Sequence, residues 1–492
     1  MLASVALSAC SQDDPTTATA QGNVIRMAAV GVGALDPARL DQSNAAWVTA
    51  VDLLFDRLTE YDSSTDAAVP DLASSWSTSD LTTWSFTIDP SRKFSDGTPV
   101  TAADVTSSLE RVASDPASLP GARLDVIEGV AELAARTAPH ARGIVASDER
   151  TVTITTTGPY GDLPALLSGP GYGIVEAASL DVRSDAPRGS GRYTVGAVEA
   201  SATTLTSPSL PAVRLVRYDS IDAGAAALAA GEVDWAITPT GSASTATGTH
   251  DTSFFKGAVV TLGINVRSRA LSDLRVRRAV VAAIDRTAIA TAAGDGVATP
   301  WSSLVPPVAH SGDCAAPCAA DVAAATASLA AVGTPVSLHL DLYDEPLIRL
   351  VADEVARELT AVGMTIEVRV HSDAEYSALV ASGQQELFLT GEAGLAPSPD
   401  PYLSAAYSSS GKANLSQLSD LEVDAALKAA RSTADPAQRR LAYRKTEDAV
   451  LALAAAVPLV ALNTRCQTSA AVADMGSEPG RALVPSRLAF FR

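Results

Sequence analysis

Segments with strand periodicity alternate with segments of helix periodicity along this 492-residue sequence, and that alternation constrains the fold most. The region after Pro346 shows it clearly, because proline suits the first turn of a helix. The expected apolar face of this helix consists of Leu347, Leu350, Val351, Val355, Leu359 and Val362. Gly363 should end the helix, and the alternating apolar residues of 366–370 then indicate a strand. The pattern predicts an α/β or α+β protein.

A second unit lies earlier in the chain. Residues 82–89 alternate apolar and polar side chains, which predicts a half-buried strand. Asp96-Gly97 then predicts a turn. Thr101 and Asp104 resemble a capping box, with a short acid in place of the usual Glu. The helix that follows has its apolar face at Val105, Leu109 and Val112.

A third helix is predicted after Asp273, which can cap it. Its apolar stripe consists of Val276, Val280, Ala283 and Ile284. Three arginines, Arg275, Arg277 and Arg278, fall largely off that stripe. We predict that they form a solvated face of the helix, with anion binding as the alternative.

Charge and motif content exclude several classes of function. The net charge is −20 and the cations are scattered, so nucleic acid is not expected as a partner. The five histidines are dispersed, and neither a His-Glu-x-x-His motif nor a phosphate-binding Gly-x-x-x-x-Gly-Lys loop is present. Ser409 and Lys412 match a Ser-x-x-Lys tetrad without its partner motifs. We therefore predict that the chain is not an enzyme.

The first residues predict export and lipid attachment. Leu7-Ser8-Ala9-Cys10 resembles a lipobox, and the small residues before Cys10 suit a signal peptidase. A polar segment with few apolar residues follows and is typical of a flexible tether. No basic residue precedes the apolar run, so we expect the printed start to lie inside the signal peptide. The predicted lipid attachment site is Cys10.

Three further cysteines, Cys314, Cys318 and Cys466, allow one disulfide outside the cytoplasm. His310, Cys314 and Cys318 follow at intervals of four residues, a set that could hold a soft metal ion. Pro317 disfavours a regular helix there, so a loop closed by a disulfide at Cys314 or Cys318 is the preferred interpretation. A metal site and free thiols remain the alternatives.

Several motifs occur together in a fixed order. Residues 69–105 contain Val-Pro-Asp-Leu-Ala-Ser-Ser-Trp76, Trp84-Ser-Phe86 and Phe94-Ser-Asp-Gly-Thr-Pro-Val-Thr-Ala-Ala-Asp-Val105. Further matches lie at residues 35–37, 189–193, 226–234, 262–286 and 457–459. From about residue 24 onward the chain resembles family 5 of the bacterial extracellular solute-binding proteins, the peptide, nickel and opine group.

The resemblance implies a two-lobed clamshell of the type II periplasmic-binding-protein class with an extra subdomain. Residues 1–23 would be the signal remnant, lipobox and tether. Residues 24–50, 170–255 and 471–492 would form lobe I, and residues 51–169 its accessory subdomain. Residues 260–470 would form lobe II.

The resemblance also implies a function. The chain would be the substrate-binding lipoprotein of an ABC importer, held outside the cytoplasm on the cell membrane or in the periplasm. It would capture a small, oligopeptide-like solute and deliver it to the permease subunits, without a cofactor. A solute sensor or scaffold without transport, and a protein that binds metal chelates, remain the alternatives.

By the same resemblance, residues 169–174 and 389–402 face the ligand cleft. Peptide-binding members carry in the second segment a Trp and an Asp that holds the α-ammonium group of the peptide. Here the Trp is missing, and Pro397 falls about where the Asp would be. Glu392 or Asp400 could replace this anchor. The candidate cleft aromatics are Tyr172, Trp301 and Tyr402.

Overall fold

The computed structural model describes residues 24–31, 35–40, 45–62, 65, 67–115, 123–179, 187–237, 249–294, 296–309, 319–393 and 396–469. The strands are β1 Ile25–Val30, β2 Thr59–Asp62, β3 Ala67–Pro70, β4 Ala73–Thr78, β5 Thr83–Ile88, β6 Ile144–Ala146, β7 Thr151–Thr155, β8 Thr194–Val198, β9 Ala202–Thr206, β10 Val213–Tyr218, β11 Trp235–Ile237, β12 Thr249–Ile264, β13 Ala298–Pro300, β14 Ser337–Tyr343, β15 Thr365–His371, β16 Leu387–Ala393 and β17 Ala456–Ser469.

The α-helices are α1 Ala45–Leu54, α2 Ala102–Ala113, α3 Val130–Ala134, α4 Leu163–Leu166, α5 Ile221–Ala229, α6 Leu274–Ala283, α7 Arg286–Ala293, α8 Val322–Val332, α9 Pro346–Ala361, α10 Asp373–Ser382, α11 Asp400–Tyr407, α12 Leu421–Arg431 and α13 Pro436–Ala452. Within the described ranges, none of these helices has both the length and the apolar character needed to cross a membrane.

Capping residues set the helix starts where the sequence predicts them. The Thr101 hydroxyl accepts a hydrogen bond from the Asp104 amide, and the Asp104 carboxylate accepts one from the Thr101 amide, so the predicted capping box is confirmed. Asp273 caps α6 as predicted. Pro346 opens α9, and Gly363 follows its end with a φ of 99°, a conformation that favours glycine.

Two predictions about helix faces are wrong. Leu350 is exposed, and Ile348 lies in the core instead, because α9 turns a slightly different face inward than the leucine spacing indicates. Arg277 is 8% exposed, so it does not belong to a solvated face. Its guanidinium donates hydrogen bonds to the carbonyls of Leu453, Leu271 and Ser272, which makes burial of the charge tolerable.

One large sheet extends through both lobes, in the strand order β15-β14-β16-β12-β17-β11-β1-β10-β9-β8, with β13 paired to β17. Lobe I is the half that contains β1 and β8–β11, packed by α1 and α5. Lobe II is the half that contains β13–β16, packed by α6–α9 and α11–α13, with α10 against β14. The antiparallel pair β12 and β17 runs through both halves, and its register breaks between Phe255 and Ala258. The predicted two-lobed α/β fold is confirmed.

The predicted accessory subdomain, residues 51–169, contains a separate antiparallel sheet in the order β4-β5-β7-β6. Trp84, Phe86 and Ile88 of β5 point into its core, as their alternation predicts. The apolar face of α2 covers that core with Val105, Leu109 and Val112. The core also reaches Tyr172 and Ile174, which lie on the segment that returns toward lobe I.

Candidate functional site

Two predicted cleft aromatics, Tyr172 and Tyr402, lie near Arg123 at the boundary between the accessory subdomain and lobe II. Tyr172 ends a short 3-10 turn, Pro170–Tyr172, and is buried, as is Tyr402 on α11. The guanidinium carbon of Arg123 lies 4.8 Å from the centre of the Tyr402 ring, a cation–π contact. Burial raises the pKa of Tyr172, while the positive charge of Arg123 lowers it and Tyr402 raises it. The boundary thus combines two aromatic rings and a cation.

Asp400, the first residue of α11, is 1% exposed and is held by an arginine of the same lobe. Its Oδ1 accepts a hydrogen bond from Nε of Arg431 at 2.6 Å, and its Oδ2 accepts one from Nη2 at 3.0 Å. Burial alone would lower the pKa of Arg431, but the Asp400 carboxylate raises it. A ligand ammonium group would have to displace Arg431 to reach this carboxylate.

Two buried tyrosines, Tyr160 and Tyr443, flank the Asp400–Arg431 pair. The guanidinium carbon of Arg431 lies 5.8 Å from the centre of the Tyr160 ring. The pKa of each tyrosine is raised well above its usual value, first by burial and then by the charges of Asp400 and Asp162. Both phenols therefore stay protonated at neutral pH beside two carboxylates.

A buried carboxylate of the accessory subdomain reaches directly into lobe II. Asp162 accepts a hydrogen bond from Nε of Arg439 at 2.5 Å and another from the Ser398 hydroxyl at 2.7 Å. The neighbouring Gly161 amide donates to the Arg431 carbonyl at 2.8 Å. These hydrogen bonds join residues more than 230 positions apart in the sequence.

An exposed ion pair lies on the rim of this boundary. Nζ of Lys412 in lobe II is 3.0 Å from Oδ2 of Asp125 in the accessory subdomain. The side chains are 76% and 42% exposed, so water screens the pair. We call the whole set the interlobe contact: Arg123, Asp125, Tyr160, Gly161 and Asp162 on one side, and Ser398, Tyr402, Lys412, Arg431 and Arg439 on the other.

A cavity of about 330 Å³ opens along the interlobe contact. Its accessory-subdomain wall includes Pro159 and Tyr160, and its lobe II wall includes Lys428 and Arg431. Volumes of roughly 300–1,000 Å³ are usual for small-molecule sites. The boundary between the lobes therefore has room for part of a small ligand.

The other predicted site residues lie elsewhere or outside the described part of the chain. The indole N–H of Trp301 donates to the Val305 carbonyl at 3.0 Å, and Val305 shares a hydrophobic cluster with Tyr402. The backbone of Glu392 pairs with Val259 in the sheet, and its side chain lies outside the described part. Cys10, His310, Cys314 and Cys318 lie outside the described residues, as does the side chain of Cys466.

Sequence reasoning missed most of the interlobe contact. Arg431 and Arg439 lie on helices where arginine is usually solvated, and Asp162 belongs to a Gly-Asp pair typical of a turn. Their partners are distant in sequence, and no periodicity indicates such pairs. The available signal was weak: Tyr160-Gly161-Asp162 places an aromatic, a glycine and an acid together just before a short apolar helix.

Solved structures identify the general class. A periplasmic murein tripeptide-binding protein in its unliganded open form superposes with a TM-score of 0.81, at 19% identity, over 96% of this chain and 98% of that chain. The clavulanic acid biosynthesis oligopeptide binding protein 2 superposes with a TM-score of 0.79, at 25% identity, over 94% of each chain. The chain thus has the two-lobed fold of periplasmic binding proteins.

A family profile makes the assignment specific. The profile of the bacterial extracellular solute-binding proteins, family 5 Middle, matches residues 67–414. The chain belongs to this family and is a solute-binding protein of the ABC-importer type. This confirms the resemblance seen in the sequence, and it agrees with a binding role in place of an enzymatic one.

Curated relatives support the assignment. The chain is 25% identical over 398 residues to the glutathione-binding protein of Escherichia coli (strain K12), which covers 75% of each protein. It is 35% identical over 151 residues to the probable D,D-dipeptide-binding periplasmic protein of the same strain. That second alignment spans only 30% of this chain and 26% of the relative.

Proposed function

We propose that this protein is a lipid-anchored receptor that captures a peptide-like solute between its lobes and delivers it to the permease of an ABC importer. The observation that carries the proposal is the grouping of Arg123, Tyr172 and Tyr402 where the accessory subdomain meets lobe II. Ligand sites of this kind combine aromatic walls with a few charged anchors. The names of several relatives and structural neighbours refer to dipeptides, tripeptides, oligopeptides or glutathione, which supports the same ligand class.

A peptide presents a carboxylate, an ammonium group and side chains of mixed character. Arg123 is suited to the carboxylate, because guanidinium groups bind carboxylates through charge-assisted hydrogen bonds. The two tyrosine rings are suited to apolar side chains of the ligand. This arrangement favours a small acid-bearing solute over a cationic metal ion.

For the ligand ammonium group we propose Glu392 as the anchor. Both oxygens of the other candidate, Asp400, accept hydrogen bonds from Arg431 inside lobe II. Glu392 follows Gly391 near the end of β16, in the segment that the family resemblance directs to the cleft. Because the Asp400 carboxylate is held by Arg431, a ligand ammonium group would have to compete with that guanidinium there, and we therefore prefer Glu392.

A thermal-shift screen tests the proposed ligand class. The probes are di- and tripeptides, glutathione, oligosaccharides and chelated nickel, each with the purified mature protein. A ligand that binds only the folded state stabilises it by about 2.7 kcal/mol at a hundredfold excess over its Kd. We expect stabilisation by a peptide and a smaller radius of gyration in solution scattering. Stabilisation by chelated nickel alone would overturn the proposed ligand class.

The proposed anchor has a test of its own. Glu392→Gln should weaken binding of a peptide with a free amino group by about tenfold or more, because a charge-assisted hydrogen bond is lost. Binding of the N-acetylated form of the same peptide should be unchanged, which serves as the internal control. Equal losses for the two forms would show that Glu392 does not anchor the amine.

A further inference from the structure

We infer that Gly161 and Asp162 are positioning residues that fix the accessory subdomain against lobe II and thereby set how far the two lobes open. The part of this inference that concerns ligand affinity rests on the proposed function. The part that concerns lobe position does not. Both parts follow from the hydrogen bonds, the close approach and the burial at residues 160–162.

The backbone of the accessory subdomain approaches lobe II too closely at Gly161 for any side chain. A Cβ atom added there would lie 2.7 Å from the Thr433 carbonyl oxygen and 2.7 Å from Nη1 of Arg439. Real Cβ atoms essentially never come within 3.0 Å of another heavy atom, and a backbone carbonyl cannot move aside cheaply. The φ of Gly161 lies outside the left-handed region, so an alanine there would be strained only by the opposite lobe.

Asp162 accepts hydrogen bonds from donor groups of lobe II, one of which is held in place by lobe II itself. Nη1 of Arg439 donates to the carbonyls of Thr433 and Ala434 at 2.8 and 2.9 Å, which fixes the guanidinium within its own lobe. Nε of Arg439 and the hydroxyl of Ser398 are then directed at the two oxygens of Asp162. One carboxylate therefore satisfies two donors of lobe II at once.

Burial makes this contact strong when formed and unfavourable when half broken. Asp162 and Arg439 have side chains only 8% and 9% exposed. A buried charge without its partner is far less stable than the pair, so the contact favours either full closure or full separation with rehydration of both groups. The exposed Lys412–Asp125 pair lacks this property, because water already screens it.

Insertion of one methyl group into the contact, in the ligand-free protein, tests the positioning role. Gly161→Ala adds one methyl group at the contact, and Gly158→Ala adds one in the same loop where no atom lies within 4 Å. Gly161→Ala should increase the radius of gyration and speed amide hydrogen exchange of residues 157–165 and 431–439 by about tenfold or more. Gly158→Ala should behave as wild type. Identical scattering and exchange in the two variants would overturn the inference.

A second pair of variants separates positioning from general damage. Asp162→Asn removes the buried charge while keeping the shape, and Asp125→Asn removes a charge from the exposed rim. Only Asp162→Asn should reproduce the exchange and scattering changes of Gly161→Ala, while exchange in the β4-β5-β7-β6 sheet stays at the wild-type rate. Faster exchange throughout that sheet would mean that Asp162 stabilises the subdomain and does not position it.

Affinity is measured with glutathione and trialanine as probes. Gly161→Ala and Asp162→Asn should weaken binding of a probe by about tenfold, mainly through faster dissociation, because the closed arrangement is less populated. If the lobes of these variants have opened but their affinity for the probe is unchanged, this contact does not contribute to ligand capture. If neither probe binds the wild type, the peptide proposal fails, while exchange and scattering still decide the positioning role.

Discussion

Substitution of Asp400 by asparagine distinguishes a ligand anchor from a residue that stabilises lobe II. In the structure, the carboxylate is 1% exposed and both of its oxygens accept hydrogen bonds from Arg431. Asp400→Asn keeps the size of the side chain but leaves the guanidinium without a counter-charge. Tyr160 and Tyr443 lie beside the pair and stay protonated, so neither phenol supplies a replacement negative charge.

The size of the effect follows from the burial of the two partners. Removal of one member of a fully buried ion pair costs about 3–5 kcal/mol, because the other charge remains buried alone. The Arg431 side chain is 32% exposed, and water can solvate part of the guanidinium once it is released. We therefore expect Asp400→Asn to lower the free energy of unfolding by about 2–3 kcal/mol.

Urea unfolding of the ligand-free protein, followed by tryptophan fluorescence, measures this loss. Asp353→Asn serves as the control, because Asp353 is an exposed residue of α9. Peptide binding by Asp400→Asn, measured below its unfolding transition, should stay within about threefold of wild type. Wild-type stability together with abolished binding of amine-bearing peptides would refute the reasoning and make Asp400 the ligand anchor.

Three further predictions concern pH, anchoring and redox state. Burial raises the pKa of Glu358 to about 7 from an ordinary value of 4.5, so the folded state binds the Glu358 proton more tightly than the unfolded state does. The stabilisation that this proton provides is lost as the pH rises from about 4.5 to about 7. Relative to Glu358→Gln, the wild type should lose about 2 kcal/mol of unfolding free energy from pH 4.5 to pH 7, and parallel stability curves would contradict this. Cys10→Ala, expressed from the full gene, should move the protein from the detergent phase to the aqueous phase, because the variant lacks the cysteine that carries the lipid and stable anchoring needs more than one acyl chain. A variant that stays membrane-bound would exclude the lipobox. Thiol labelling of unreduced mature protein should find no more than one free thiol among Cys314, Cys318 and Cys466, and three reactive thiols would favour the metal alternative, which elemental analysis can then test.

Local interactions explain why much of the fold could be predicted. The Thr101–Asp104 capping box, the Asp273 cap and the Gly363 stop each depend on residues within a few positions of one another. Strand β5 shows its burial through the alternation of its own side chains. Such signals can be read from a single sequence because the residues that form each of these local structures are close together in the chain.

Arg277 shows where local reasoning fails. Its place on the helical wheel indicates a solvated residue, but the carbonyl of Leu453, far along the chain, meets its guanidinium. The same holds for the candidate site, where Asp162 and Arg439 are 277 residues apart. The family resemblance indicates Tyr172 and Tyr402, but their proximity to Arg123 follows from the packing of the lobes. Pairings at such distances depend on the tertiary fold and leave no periodicity in the sequence.

Two kinds of contact join the lobes, and they differ in how reversibly they form. The β12–β17 ladder consists of backbone hydrogen bonds that extend through both halves of the sheet. Its register shifts at two places, between Phe255 and Ala258 and between Val260 and Thr261. The first shift lies between the part of β17 that pairs with β11 and the part that pairs with β13. A bulge at that place lets the ladder bend, because the extra residues relax the pairing locally. The interlobe contact consists of a few polar side chains that water can replace once both sides separate. We therefore expect the lobes to rotate about the β12–β17 ladder, with the Asp162 contact as the part that opens and closes.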